Sequence, residues 1–284
     1  IVFHPYQSHD VVVSMGWMDS QKEKNFTKVK NNCPNLYIAY LVYDTILANE
    51  TTKFLYSKES QTKFQNYFKW INNNCDFIFT GGQNTQKDCT QLQKKFNLNA
   101  QHSIPVKFGT DIIKDDLDVS KENDILNELG ITGSFMMTVG TIEPRKNHVT
   151  LYRAYLIMLD MLGSEQTPQL VFVGRPDGNV NDMVSLIKRH PKLKSKLIII
   201  SPTDEQLAVL YKCCLFTLLP SLYEGWSLAL PESLGQGKFC IASDISPLRE
   251  IANNIAEFVD PFDTQGWANK MVEYATNIEK LKEA

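Results

Sequence analysis

Glu224 and Glu232, with seven residues between them, are the two carboxylates of the run Leu215-Phe-Thr-Leu-Leu-Pro-Ser-Leu-Tyr-Glu224-Gly-Trp-Ser-Leu-Ala-Leu-Pro-Glu232-Ser-Leu-Gly-Gln-Gly237. Carboxylates accept hydrogen bonds from vicinal hydroxyls, so a pair flanking one turn suits recognition of a sugar or ribose. Taken singly, Glu224 also reads as a capping carboxylate and Glu232 as an exposed helix residue. A second polar cluster is Gly140-Thr-Ile-Glu143-Pro-Arg145-Lys146-Asn147, with Asn147 the expected N-cap of a helix. Cations at a helix N-terminus oppose its macrodipole by roughly 0.3–1 kcal/mol each. Arg145 and Lys146 therefore either extend into solvent or receive an anion. Together with backbone N–H groups of Gly225, Trp226 and Ser227, they would form a clamp for a diphosphate.

Such groups need a scaffold that brings both turns to one edge. After residue 130 the pattern supplies one. Apolar runs predict strands at 134–140, 169–174, 196–201, 215–219, 238–242 and 256–259. Helices are expected near 147–163, 180–190, 204–214, 227–236, 247–253 and 264–282. This alternation calls for a parallel, doubly wound sheet with right-handed crossovers, in which ligands bind at the carboxyl ends of the strands. Those ends carry Gly140, Arg145, Lys146, Arg175, Ser201, Glu224 and Gly225. The first part is less regular. Strands are expected at 10–14, 36–43, 76–80 and 103–107, the last demoted to an edge by Pro105. A helix at 60–74 carries Phe64, Phe68 and Ile71 on its core face. A polar helix follows Gly81-Gly82, and a charged linker covers 111–123. The expected division is 1–125 and 126–284.

Composition narrows the function classes. At 43% hydrophobic and 21% charged, the 284 residues are ordinary for a globular chain. A net charge of −3 with scattered cations gives no field for nucleic acid. No apolar run approaches the roughly 20 residues that cross a bilayer. Six cysteines without metal-ligand spacing suit a reducing cytoplasm. Asp116-Leu-Asp118 has a spacing used for metals elsewhere, but it lies in the charged linker, so no metal site is expected.

Val139-Gly-Thr-Ile-Glu-Pro-Arg-Lys-Asn147 followed by Pro220-Ser-Leu-Tyr-Glu-Gly-Trp-Ser-Leu-Ala-Leu-Pro-Glu232 resembles the family 4 retaining glycosyltransferases, nearest their bacterial mannosyltransferase-like branch. Cys240-Ile-Ala-Ser-Asp244 and Pro247-Leu-Arg-Glu250 extend the likeness. Val42-Tyr43-Asp44 and Thr80-Gly-Gly match more loosely, and Gly81-Gly82 stands where relatives usually carry Ser-Glu. The resemblance implies an α/β GT-B fold, two Rossmann-like doubly wound domains facing a cleft, with the N-terminal one shortened or truncated. It implies hexose transfer, mannose foremost, from a GDP- or UDP-linked sugar to a glycan or lipid-linked acceptor, with no further cofactor or metal. The implied place is the cytoplasm, at the inner face of the membrane for lipid-linked acceptors. By the same resemblance Arg145 and Lys146 hold the diphosphate, Glu224 contacts the sugar and Glu232 the ribose. Gly140, Arg175, Ser201, Gly225, Trp226 and Ser227 complete the donor site. The competing readings are a catalytically degenerate partner subunit and a nucleotide-sugar epimerase of the same architecture.

Overall fold

The computed structural model describes residues 6–16, 19–110 and 121–284. Asp116, Asp118 and most of the expected linker lie outside them. The chain forms two compact units, residues 1–108 with 224–226, and 109–223 with 227–284.

The first unit is a parallel sheet in the order β1 (Val11–Ser14), β2 (Tyr37–Val42), β3 (Phe77–Gly81) and β4 (Ser103–Val106). Pro105 does lie in an edge strand. The connections are α1 (Ser20–Asn32), α2 (Lys58–Asn74) and α3 (Gly82–Lys95). In α2 the Ser57 hydroxyl accepts from Ser60 N–H, capping the first turn. Its stripe Phe64, Tyr67, Phe68 and Ile71 packs on Ile38, Tyr40 and Val42. The first-part pattern named no helix at α1, because α1 has no fully buried residue and hence no clean apolar stripe. Gly81 is sterically required: a Cβ there would lie 2.5 Å from the Tyr43 carbonyl oxygen.

The second unit has a six-stranded, all-parallel sheet in the order β10-β9-β8-β5-β6-β7. Its strands are β5 (Phe135–Val139), β6 (Gln169–Val173), β7 (Leu197–Ile200), β8 (Thr217–Leu219), β9 (Cys240–Ser243) and β10 (Glu257–Val259). All six were expected from the sequence. The helices are α4 (Glu122–Glu128), α5 (His148–Leu162), α6 (Asn181–Arg189), α7 (Asp204–Cys213), α8 (Ala229–Gly235), α9 (Ser246–Ala252), α10 (Thr264–Thr276) and α11 (Ile278–Glu283). The strand order reverses between β5 and β8, so the sheet is doubly wound. Helices cover both faces: α5 and α10 pack on Met136, Phe172 and Leu218, while α7 packs on the opposite side against Met137 and Val171.

Two expected helices differ. The 264–282 helix is broken at Asn277, which leaves helical geometry and caps α11 by accepting from Lys280 N–H. The 227–236 helix starts at Ala229, because Ser227 is left-handed at φ 66°. At the amino end of the sheet, Gln169 ties three segments together. Its side-chain oxygen accepts from Thr132 N–H, and its amide donates to the carbonyls of Gly130 and Ser195.

Candidate functional site

In a doubly wound sheet the crevice lies where the strand order reverses. Here that is between the carboxyl ends of β5 and β8, which places the 140–147 turn beside Pro220–Tyr223. Three hydrogen bonds stitch them together. Arg145 Nη1 donates to Tyr223 O at 2.8 Å, Leu222 N donates to Arg145 O at 2.9 Å, and Asn147 Nδ2 donates to Pro220 O at 3.1 Å. The sequence expectation that both clusters share one edge is met in this geometry.

Arg145 is buried and also pairs with Glu143 Oε1 at 2.5 Å. It fixes the turn rather than extending into solvent. Lys146 is half-buried, and its side chain lies over Gly140: a Cβ on Gly140 would meet its Cε at 3.6 Å and Nζ at 3.8 Å. The β5 and β6 turns are joined as well. Gly140 N donates to Val173 O, Ile142 N to Arg175 O, and Asp177 N to Ile142 O. Asn147 stands before α5, but its side chain does not cap it. The residue is left-handed, its amide reaches Pro220 O and Pro261 O, and its oxygen accepts from Thr150. Asn147 thus occupies the expected N-cap position of α5 without a side-chain capping hydrogen bond.

Glu232, half-buried on α8, accepts from the buried Tyr211 hydroxyl at 3.1 Å. It is thus held from behind rather than waving in solvent. Burial, and then the Glu232 charge, push the Tyr211 phenol well above its ordinary value. Thr217 and Ser233 hydroxyls, 2.5 Å apart, anchor α8 to β8. Ser227 is buried and its hydroxyl has no hydrogen-bond partner. Arg175 is exposed, and only its carbonyl engages the turn. Ser201 is exposed at the end of edge strand β7, two strands and about 10 Å from β5.

The 224–226 segment packs in the first unit. Glu224 is 4% exposed. A Cβ on Gly225 would sit 2.5 Å from Asp44 Cβ and 2.6 Å from Tyr43 O, so only glycine fits. Trp226 donates its indole N–H to Phe108 O at 3.1 Å and packs edge-on against that ring.

Sequence reasoning passed over two residues here. One is Tyr211, whose signal is an isolated phenol in an otherwise apolar helix end. The other is His148, the first residue of α5, 2% exposed, edge-on to Phe172 at 4.8 Å, with neither ring nitrogen hydrogen-bonded. Burial first, and the nearby Lys146 charge second, lower its pKa from 6.5 to about 3. Between those values the unfolded chain binds a proton that the folded chain refuses, so stability falls as pH drops. About 2 kcal/mol is expected to be lost between pH 7 and pH 5. Thermal melts of the protein and of His148→Leu across this range should diverge toward low pH, with the variant less sensitive. Parallel curves would show that His148 is not the titrating group.

The 140–147 turn can receive an anion through a lysine held over a glycine, and α8 of the same unit carries a carboxylate braced by a phenol. A doubly wound α/β unit with such an edge belongs to a class shared by many nucleotide-binding proteins. The family model described as Glycosyl transferases group 1 matches residues 123–284, more than half the chain, and the chain belongs to that family. It is 25% identical over 196 residues to an Escherichia coli serotype-specific mannosyltransferase WbdA, covering 67% of this chain and 23% of the relative. It is 26% identical over 206 residues to the Escherichia coli UDP-Gal:alpha-D-GlcNAc-diphosphoundecaprenol alpha-1,3-galactosyltransferase, covering 68% and 50%. Anabaena HepE, solved in complex with UDP-glucose, superposes with a TM-score of 0.73 at 17% identity, covering 96% of this chain and 70% of that one. The architecture is therefore of the GT-B type, and the chain spans about a quarter of the length of the mannosyltransferase it matches. Among the described residues, no helix is long and apolar enough to cross a membrane, and no cluster of His, Cys, Asp or Glu has the makings of a metal site.

Proposed function

We propose that the protein is a retaining, metal-independent glycosyltransferase of family 4 that moves a hexose, mannose foremost, from a nucleotide-diphosphate sugar to a glycan or lipid-linked hydroxyl. The observation that carries this reading is the stitched pair of turns at the switch point, with Lys146 over Gly140. Lys146 meets the donor diphosphate and offsets charge on the departing phosphate, and Arg145 holds both turns in register for it. Glu224 takes the hydroxyls of the transferred sugar and Glu232 those of the ribose. Gly140, Gly225, Trp226 and Ser227 approach the diphosphate through their backbone, with Arg175 and Ser201 farther along the edge. In the transfer, the bond from the anomeric carbon to the phosphate oxygen breaks and one to the acceptor oxygen forms on the same face. The acceptor proton passes to the departing phosphate. No cofactor beyond the nucleotide sugar takes part, and the reaction belongs on the cytoplasmic side, beside a membrane where the acceptor is lipid-linked.

GDP-mannose is the first donor to test because several of the relatives are named mannosyltransferases. UDP-galactose is the second, since the galactosyltransferase relative matches a similar share of the chain. A cognate donor at a hundredfold excess over its Kd stabilises the folded state by about 2.7 kcal/mol, a melting shift of roughly 5 °C or more. Glu224→Gln should keep much of that shift and lose transfer. No shift with any GDP- or UDP-sugar would defeat the donor reading, and full transfer by Glu224→Gln would remove that residue from the chemistry. Transfer abolished by EDTA would overturn metal independence, and isomerised donor in the absence of acceptor would point to an epimerase.

A further inference from the structure

Two buried tyrosines of the second unit use their hydroxyls differently. The Tyr155 hydroxyl lies 2.7 Å from Pro168 O and 3.1 Å from Lys196 O, so it ties two backbone segments together. Tyr211, in the last turn of α7, is fully buried among Phe135, Met137, Val171 and Val173. Among the described residues its hydroxyl has one partner, the Glu232 carboxylate. A phenylalanine would fill the same apolar space without the desolvation that a buried hydroxyl costs. The hydroxyl is therefore accounted for by Glu232 and not by the core. Glu232 is held at its backbone as well. The hydroxyl of the next residue, Ser233, lies 2.5 Å from Thr217 Oγ1 and 3.2 Å from Lys238 O, so α8 cannot slide along β8. Among the described residues Glu232 makes no ion pair, and its Oε1 accepts from no protein group. A half-buried carboxylate without a cation, steadied at one oxygen by a neutral donor, suits neutral hydroxyls and repels phosphate.

We propose that Tyr211 is a positioning residue: it fixes the Glu232 carboxylate for the vicinal ribose hydroxyls of the nucleotide, and so makes the site select ribonucleotides over 2′-deoxyribonucleotides. The inference rests on the donor-site reading above and adds to it the residue that sets the discrimination. Tyr211 does not touch the ligand. It removes alternative rotamers of Glu232, so the ordering that a flexible side chain would undergo on binding is already complete in the folded protein. A mobile carboxylate can turn to whichever hydroxyl remains when one is missing. A fixed one cannot follow, and the analogue that lacks a hydroxyl loses the whole hydrogen bond.

The test is calorimetric titration of GDP and UDP, each against its 2′-deoxy form, into the wild type, Tyr211→Phe, Glu232→Ala and the double variant. The wild type should bind the ribonucleotide about tenfold or more tighter than its deoxy form, as for a hydrogen bond to a charged acceptor. In Tyr211→Phe the ratio should fall to about threefold or less, through weaker ribonucleotide binding with the deoxynucleotide little changed. In Glu232→Ala the ratio should approach one, and adding Tyr211→Phe should change nothing further, because Tyr211 acts through Glu232. A merely structural tyrosine would weaken both nucleotides alike and leave the ratio intact. Tyr211→Phe keeps the core filled, so its Tm should stay within about 3 °C of the wild type. A wild-type ratio retained in Tyr211→Phe, or an equal loss of affinity from that change with and without Glu232, would overturn the inference. Wild-type binding that ignores the 2′-hydroxyl would overturn it while leaving the donor reading in place. A wild type that binds neither GDP nor UDP would overturn the donor reading and this inference with it.

Discussion

Gly174→Ala is expected to cost the fold about 2–6 kcal/mol, a large part of the 5–15 kcal/mol that holds a typical protein folded. The residue has φ 155°, which side-chain-bearing residues rarely adopt. An added Cβ would lie 2.0 Å from the Gly140 carbonyl oxygen and 2.7 Å from its carbon, both backbone atoms that no rotamer change can move. Backbone strain of about 1–3 kcal/mol adds to a similar overpacking cost. The clash would separate the β5 and β6 turns, which are joined through Gly140 N to Val173 O and Ile142 N to Arg175 O. Urea denaturation measures the loss, and thermal unfolding should fall by about 10 °C or more. A change below about 1 kcal/mol would mean that the turns separate freely. Gly178→Ala is the control, because nothing lies within 4 Å of its added carbon.

Lys146→Ala and Arg145→Ala are expected to fail in different ways, although the sequence presents them as a matched pair. Removing Lys146 should cut turnover by about 10²–10³, the usual loss of a group that stabilises charge at the transition state, with Tm changed by no more than about 2 °C. Removing Arg145 takes away the donor to Tyr223 O and the partner of Glu143 Oε1, both in a buried setting. That should cost roughly 2–4 kcal/mol of stability besides activity. Arg145→Lys should not restore it, since an ammonium cannot span both acceptors as the planar fork does. Turnover and melting measured on all three variants decide the matter. Equal destabilisation by Lys146→Ala and Arg145→Ala would erase the division of labour. Wild-type turnover in Lys146→Ala would remove that residue from the donor site.

Much of this was legible in the sequence. Strict alternation after residue 130 located all six strands of the second unit, and the rule that ligands bind at the carboxyl ends of such strands put the 140–147 and 220–224 turns on one edge. Residues governed by long-range packing were less legible. Nothing local says that Arg145 would turn inward to a carbonyl 78 positions away, or that the Trp226 indole would meet Phe108 O, 118 positions earlier. Ser227 adopts a left-handed conformation with no glycine to announce it, which moved the start of α8 by two residues. The polar helix α1 carries no stripe. His148 reads as a surface residue at a helix start, and only the packing of α5 against Phe172 buries it.

The brace behind Glu232 has a consequence for how the protein responds to its medium. Because the Tyr211 phenol is held well above its ordinary value of 10.0, it remains a donor through neutral and mildly alkaline solution. One lone-pair direction of the Glu232 carboxylate is thereby permanently occupied, and its plane is set by a group that does not titrate in the working range. On the proposed donor-site reading, the Tyr211 hydroxyl should therefore add no pH dependence of its own to ligand affinity between pH 7 and 9, measured by comparing the pH profiles of the wild type and Tyr211→Phe.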